Sequence, residues 1–549
     1  MTAQSQGNGS SSRSLDVLIV GAGFAGMYTL YQLRNLGFSA KVIERGDGVG
    51  GTWYWNRYPG ARCDVESLNY SFSFDKDLEQ EWTWSERYSP QPEILKYANH
   101  VADRFDLRKD IEFQTSVTKA VWDDAECRWA ISTSRGETIS AQFYVMASGC
   151  LSHSKLPEIP GVETFQGPTY HTGHWPHEPV DFTGMRVGVI GTGSSAIQAI
   201  PELARQAAHL TVFQRTPNFS LPAGNRALAT EEMDAMRAIY PEHRAAARTS
   251  GFGVPVEVPT RSALEVTQEE RDEVYEMGWQ SGNLVGMLLA FNDLITNKEA
   301  NDTACEFIRN KIRAIVKDPQ TAEDLCPFDH PMGTKRPCLD SGYYETYNRD
   351  NVKLVNLRRT PMEAITPTGI RTSDEEFTFD AIVFATGFDA MTGALTAVDI
   401  EGRNGVTLKD KWHDGTRTYL GLTVHGFPNL FTITGPASPS VFSNMMISIE
   451  QHVDWIADCL VYLRDNGLAA IEATKEAEDS WVDHNTEAGN ATLYPLANSW
   501  YMGSNVPGKP RVLMPYIGGV GVYREECDAI VANNYRGFVT RDSRQPAAV

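Results

Sequence analysis

No Cys-x-x-Cys pair occurs in this chain: its eight cysteines, Cys63, Cys127, Cys150, Cys305, Cys326, Cys338, Cys459 and Cys527, are scattered. That spacing excludes a disulfide framework, a zinc ribbon and a thioredoxin-type redox pair, leaving the cysteines as small reduced hydrophobes. Uninterrupted apolar runs of the ~18 residues that span a bilayer are also missing, and the run Leu15 to Val20 stops at a glycine. Positive charge is scarce, with 49 Lys and Arg against 70 Asp and Glu and a formal net charge of -21. Nucleic acid and anionic membrane are therefore poor partners, because both select a basic surface. Met1 to Ser14 is rich in Ser, Gly, Asn and Gln without an apolar core, which predicts a disordered tail over 1–14, no export signal and a cytoplasmic protein. At 549 residues, 42% hydrophobic and 22% charged, the chain is too long for one core, and two or three domains are expected.

What is present is a glycine motif that occurs twice. A β-branched stretch, Leu15 to Val20, runs into Gly21-x-Gly23-x-x-Gly26, and Met27 to Leu36 then has helical spacing. In such a strand-turn-helix unit the first glycine makes the turn, the second admits a pyrophosphate to the backbone, and the third lets helix and strand pack closely. The next strand, Ala40 to Ile43, ends in Glu44, 23 residues after Gly21, where an acid accepts from an adenosine ribose hydroxyl. The second unit is Met185 to Ile190 followed by Gly191-x-Gly193-x-x-Ala196, with Gly191, Gly193 and Ser194 as its cradle. Its next strand, Leu210 to Phe213, ends in Gln214 followed by Arg215 and Thr216. A carboxylate there would repel a 2′-phosphate, whereas a guanidinium and a hydroxyl bind one. The first site suits FAD and the second NADPH rather than NADH.

Between Gly224 and about Asp329 the strand-glycine-helix rhythm gives way to helical patterns, with a capping box at Thr267 to Glu270 and Ile308, Ile312, Ile315 and Val316 on one helical face. Strands resume at Val352 to Val355 and at Phe379 to Phe384; the latter is closed by a small-residue turn, as Phe143 to Gly149 is. The expected fold class is α/β, with two Rossmann-like dinucleotide-binding domains and a helical insertion. The FAD domain is expected over 15–150 and 386–549, the NADPH domain over 151–223 and 331–385, and the insertion over 224–330.

Ahead of the second unit stands Phe165-x-Gly167-x-x-x-His171-x-x-x-Trp175-Pro176. With the flanking glycine motifs it resembles the fingerprint of the type I Baeyer–Villiger monooxygenases. Gly50 to Asp64, Lys335-Arg336 and Tyr343 to Asp350 match the same family. The resemblance runs from about Asp16 to Gly537 and is nearest the phenylacetone and steroid monooxygenase branch. It implies that NADPH reduces FAD, that oxygen adds at flavin C4a, and that the resulting peroxide attacks a ketone to give an ester or lactone. Arg336 matches the arginine that stabilises the anionic peroxide and adduct, a role suited to a group that stays protonated, and Asp64 the carboxylate that positions it. Gly51, Thr52, Trp53, Asp64 and Tyr70 fall on the FAD side. Lys335 joins Arg215 and Thr216 on the 2′-phosphate, and Trp500 matches the tryptophan that meets the cofactor when a mobile loop closes and excludes water.

His171, His174 and His177 have metal-like spacing, but Pro176 and Pro179 break the helix that would align them. No metal is expected, and His171 is assigned to the joint between the nucleotide domains. The stretch Gly435 to Met445 resembles the substrate loop of the phenylacetone-type branch; Val441 and Phe442 add bulk there, with Phe442 either narrowing or lining the pocket. The expected partners are O2 and a small ketone, and the expected state is a monomer or weak homo-oligomer. The rival readings are a flavin N- or S-hydroxylase, which would not need Arg336, and a non-catalytic nucleotide sensor, against which the intact Arg336 and Asp64 speak.

Overall fold

The computed structural model describes residues 13–542. Strand β1 (Arg13–Val20) is entirely β-branched or apolar from Val17 onward and runs parallel to both of its neighbours. It begins two residues before the expected start: Arg13 and Ser14 pair with Ile139 and Ser140, so these two belong to the sheet and not to the tail. The rest of the expected tail lies outside the described residues. Helix α1 (Phe24–Asn35) follows the glycine turn, and β2 (Ala40–Ile43) and β3 (Thr138–Met146) flank β1 on either side.

This first sheet has eight strands. Ile111–Glu112 extends it beyond β2, and Val117–Asp123 and Arg128–Thr133 form an antiparallel meander leading into β3. Two strands from much later in the chain complete it: Leu430–Thr432 lies parallel on β3, and Asp399–Glu401 parallel on the outer edge. The helix Met445–Asp465 covers the same face as α1, which it meets through a shared core containing Met27, Leu30, Ile456 and Leu460.

The second sheet has five strands, all parallel, centred on β4 (Arg186–Ile190) with β5 (His209–Gln214) beside it and α2 (Ser194–Gln206) between them in sequence. Val352–Asn356 flanks β5, and Ala381–Phe384 flanks β4 on the other side. The outermost strand is Thr169–His171, so His171 ends a strand paired to Phe384. The helices Thr230–Thr249, Gln268–Gln280, Leu284–Leu288, Lys298–Ile315 and Pro319–Leu325 occupy the stretch between β5 and Arg336. Thr267 caps its helix reciprocally with Glu270, and Ile308 and Ile312 are fully buried. Val316, expected on the same helical face, lies one residue past the helix end and is buried there in extended backbone.

Candidate active site

The turn after β1 is set by backbone contact. At Gly21 φ is +100° and an added Cβ would stand 2.7 Å from the Ala147 carbonyl oxygen; at Gly26 it would stand 1.8 Å from the Gly21 carbonyl oxygen. Gly23 and Gly51 face one another so closely that a Cβ on Gly51, at φ +54°, would lie 2.9 Å from the Gly23 Cα. The N-cap of α1, Gly23, offers no side-chain cap, so the first amides of the helix are free for an anion. Glu44, at the end of β2, is buried; its two carboxylate oxygens accept the Ala22 N–H at 2.7 Å and the Gly46 N–H at 2.6 Å. Each oxygen keeps a second lone pair for a hydroxyl. Thr52 is exposed at the start of a one-turn helix, and Trp53 is buried with its indole N–H donated to the Tyr70 hydroxyl at 3.1 Å. A tight turn, an uncapped helix start and a buried carboxylate fit an adenine dinucleotide with a free ribose diol.

The second turn repeats the geometry and changes the charge. Gly191 has φ +111° and an added Cβ would lie 2.4 Å from the Ala385 carbonyl oxygen, while Gly193 and Ser194 are exposed at the uncapped start of α2. Gln214 replaces the acid and is turned inward, its amide donating to the Asp324 carbonyl at 2.6 Å. Arg215 is exposed, and the Thr216 hydroxyl accepts from Arg358 at 3.4 Å. Arg358 also donates to Asp329 at 2.5 Å, and Asp329 bonds the His330 imidazole at 2.7 Å. Burial pulls the Lys335 ammonium below its ordinary range; Asp329 opposes that shift, and Arg215 and Arg358 add to it. Burial would raise the Asp329 carboxyl, yet His330, Lys335 and Arg358 hold it well below the usual range. Lys335 therefore has two guanidinium groups, Arg215 and Arg358, and one carboxylate, Asp329, around it beside Thr216, an excess of positive charge that matches a phosphate dianion.

Arg336 ties distant parts of the chain together. Its Nε and Nη2 donate to the two oxygens of Asp64 at 2.6 and 2.9 Å, a bidentate pair across 272 residues, and its Nη1 donates to the Val441 carbonyl at 2.8 Å. The Asn218 amide donates to the Arg336 carbonyl at 3.0 Å, fixing the backbone from the end of the second nucleotide unit. Burial works against the guanidinium charge, but Asp64 and Tyr501 outweigh it and raise its pKa further. The two side chains of the pair remain 23% and 27% accessible, which leaves the guanidinium within reach of a ligand.

Val441 belongs to a one-turn 3-10 helix, Ser440–Phe442, in a loop where Thr434, Ala437 and Ser440 all have positive φ (55°, 63° and 41°). Left-handed backbone at three residues with side chains is costly, on the order of 1–3 kcal/mol each, and persists where the surroundings over-determine it. Phe442 packs against Tyr494 and Tyr501 with ring centroids at 4.9 and 4.6 Å, and Trp500 lies 4.2 Å from Tyr501 in the same apolar cluster.

The family described as pyridine nucleotide-disulphide oxidoreductase matches residues 18–227. Acetone monooxygenase (methyl acetate-forming) of Gordonia sp. (strain TY-5) is 41% identical over 530 residues, covering 96% of this chain and 99% of that protein. The structure of an oxidized steroid monooxygenase bound to NADP superposes with a TM-score of 0.92 at 52% identity, covering 96% of this chain and all of that one. A complex of the enzyme abbreviated OTEMO with FAD and NADP superposes at 0.93 with 40% identity, covering 96% and 100%. The chain belongs to the Baeyer–Villiger monooxygenases.

Within a Baeyer–Villiger monooxygenase the match to a disulphide-oxidoreductase family concerns the nucleotide fold, since all eight cysteines are free and buried. The N- or S-hydroxylase reading is not favoured. The structure brings together Asp64, Lys335 and Arg336 with Arg215 and Thr216, and places Trp500 in the cluster that contains Tyr501. His171 accepts the Gly173 N–H at Nδ1 and lies 3.2 and 3.3 Å from the Lys155 carbonyl and the Thr386 hydroxyl, while His174 stacks on Trp55 and His177 meets Tyr54 edge-on. Arg358, Asp329 and Asn218 have no counterpart in the sequence reading. A basic side chain just after Val352–Asn356, a strand beside β5, is the signal that would have found Arg358.

Proposed function

We propose that this monooxygenase inserts one atom of O2 into a carbon–carbon bond beside the carbonyl of a small ketone, giving an ester or lactone, with FAD in the first cradle and NADPH in the second. When bound, the flavin takes electrons from NADPH and passes them to O2. The protein's share is positional and electrostatic. Glu44 holds the flavin nucleotide's ribose. Arg215, Thr216, Lys335 and Arg358 hold the 2′-phosphate of the nicotinamide cofactor, with Asp329 orienting Arg358. Arg336, aimed by Asp64 and the Val441 carbonyl, keeps a permanent positive charge where negative charge develops on the reacting oxygen. The apolar cluster with Val441, Phe442 and Trp500 receives the ketone and keeps water out.

The observation that carries this reading is the three-point hold on Arg336: two bonds from Asp64 and one from Val441. A solvated surface arginine is not fixed in this way. In this reading 15–150 with 386–549 form the FAD domain, 151–223 with 331–385 the NADPH domain, and 224–330 the helical insertion. Eight free, buried cysteines suit a reducing compartment such as the cytoplasm; no helix among the described residues is long and apolar enough to cross a membrane.

The test is purified holoenzyme with NADPH, O2 and linear, cyclic, aryl and steroid ketones, with products identified by mass. Ester or lactone 16 Da heavier than the ketone is expected; NADPH consumption that yields only hydrogen peroxide across the panel overturns the reading. A second expectation concerns cofactor choice. Lys335→Ala should raise the KM for NADPH by roughly 10- to 100-fold, as loss of a charge-assisted contact of ~1.5–3 kcal/mol requires, and Arg358→Ala should raise it by about tenfold. Neither should change the KM for NADH, which lacks the phosphate; an equal rise for both cofactors would show that the cluster serves the fold instead.

A further inference from the structure

The helix Lys475–Asn490 carries Trp481, Asn485 and Gly489 at i, i+4 and i+8, and all three are buried on one face. That face meets two stretches from elsewhere in the chain. The Trp481 indole N–H donates to the Ala437 carbonyl at 3.0 Å, and its ring stacks on Tyr516 with centroids 5.3 Å apart and planes at 17°. One turn on, the Asn485 amide donates to the Leu513 carbonyl at 3.1 Å; a further turn on, a Cβ at Gly489 would stand 2.7 Å from a Leu513 methyl. The two stretches are also bonded to each other. Ala437 N–H donates to the Met514 carbonyl at 2.6 Å, and Tyr516 N–H to the Ser438 carbonyl at 2.7 Å.

Each stretch leads to the site. Met514 N–H donates to the carbonyl of Tyr501, the neighbour of Trp500, at 2.9 Å, and the Val441 carbonyl accepts Arg336 Nη1 at 2.8 Å. Ala437 is the strained member of the clamp: its φ is +63°, and both of its backbone polar groups are tied, the N–H to Met514 and the carbonyl to Trp481. The loop is knit internally as well, with the Ser438 hydroxyl donating to the Gly435 carbonyl at 2.7 Å and the Ser440 hydroxyl to the Thr434 carbonyl at 3.2 Å. A shift at Ala437 is therefore passed on to Ser440 and Val441. A buried carbonyl that loses its donor turns to find another, and a loop with three left-handed residues has strain to release in turning.

We propose that Trp481 is a positioning residue for the oxygenation step: its indole N–H keeps Ala437 in the left-handed conformation that delivers the Val441 carbonyl to Arg336, and its ring keeps the stretch bonded to Tyr501 in register with the same loop. The proposal rests on the Baeyer–Villiger reading above. Its effect on the reaction runs through the third point of the hold on Arg336, because a displaced Val441 carbonyl leaves the guanidinium aimed by Asp64 alone. Reactivity in a preorganised site is sensitive to displacements of this kind.

The test compares wild-type and Trp481→Phe holoenzymes with NADPH, O2 and a ketone that the wild type converts. Phenylalanine keeps an aromatic ring against Tyr516 and removes the indole N–H. The expected result is a fall in kcat for ester or lactone of about fivefold, equivalent to ~1 kcal/mol, with a larger share of NADPH diverted to hydrogen peroxide. Flavin content and the anaerobic rate of flavin reduction should stay within about twofold, which separates a displaced Arg336 from a damaged cofactor site. Ile530→Val, a change in the same buried core, controls for lost packing: it should lower Tm with kcat and coupling unchanged. Wild-type kcat and coupling in Trp481→Phe overturn the proposal, as does a loss of flavin reduction equal to the loss of kcat, or the same fall in kcat in Ile530→Val. Should Trp481→Phe fail to retain flavin, benzothienylalanine placed at position 481 keeps the bicyclic ring and puts sulfur where the N–H was; the same fall in kcat there supports the proposal, and wild-type kcat overturns it. A wild type that makes no ester from any ketone overturns the functional reading and this inference with it; a converting wild type with an indifferent variant overturns the inference alone.

Discussion

Replacing Arg336 by alanine is expected to lower ester or lactone formation by roughly 10³-fold while FAD stays bound and NADPH still reduces it, a magnitude in line with removing a preorganised donor from a developing oxyanion. The argument for so large an effect is electrostatic. Oxygen transfer to a ketone builds negative charge on the reacting oxygen, and the nearest fixed positive charge is a guanidinium held at three points. Because that hold exists before any ligand arrives, no reorganisation is needed when the charge develops. Flavin reduction, by contrast, depends on placing the nicotinamide, for which the cationic group around Lys335 and Arg358 remains intact in the variant. The fold should survive as well: the pair is 23% and 27% accessible, so the Asp64 carboxylate left behind can be hydrated and the cost stays below the ~3–5 kcal/mol of breaking a fully buried pair. Arg336→Lys should rescue little, because an ammonium cannot meet both Asp64 oxygens and the Val441 carbonyl in one plane. The measurements are product formation by mass, anaerobic bleaching of the flavin by NADPH, and flavin content. Loss of flavin reduction together with oxygenation would assign Arg336 to cofactor placement; retained oxygenation would remove it from the chemistry.

What the sequence discloses follows from how local each feature is. Both glycine turns and Glu44 were legible because strand, turn, helix and the acid all lie within one βαβ unit, where spacing is fixed by geometry. The contrast between Glu44 and the Gln214-Arg215-Thr216 run was legible for the same reason. The Arg336–Asp64 pair was reached only through the family resemblance, since no spacing rule connects residues 272 apart. Arg358 and Asp329 were not legible at all. They come from the turn after a late strand and from the end of the helical stretch, and only the parallel pairing of Val352–Asn356 with β5 brings Arg358 to Thr216. The late strands Asp399–Glu401 and Leu430–Thr432 are three residues each, too short for a periodic pattern, and their places in the first sheet are set by tertiary pairing.

The second large effect is expected at Gly26. An alanine methyl there would stand 1.8 Å from the Gly21 carbonyl oxygen and 3.0 Å from its carbon, both backbone atoms of the turn that receives the FAD pyrophosphate. No rotamer relieves such a contact, so α1 must move away from β1, and that movement drags Gly23 and the free amides at the helix start out of register with Glu44 and Ala22. Gly26→Ala should therefore yield protein that holds little FAD, with a stability loss of at least ~3 kcal/mol, the upper range for overpacking a core. The second nucleotide unit supplies the internal control. Its equivalent position is Ala196, fully buried, so a methyl is accommodated where the helix approaches the turn less closely, and Ala196→Gly should cost only the ~1 kcal/mol of helix propensity and leave NADPH binding in place. Gly37→Ala controls for backbone strain alone, since that glycine has φ +84° but open space around an added Cβ; it should lose stability without losing flavin. Flavin content by absorbance and Tm by calorimetry separate the three variants. A Gly26→Ala protein with full flavin and an unshifted Tm would mean that the turn yields, and that close approach of α1 to β1 is not what shapes the first cradle.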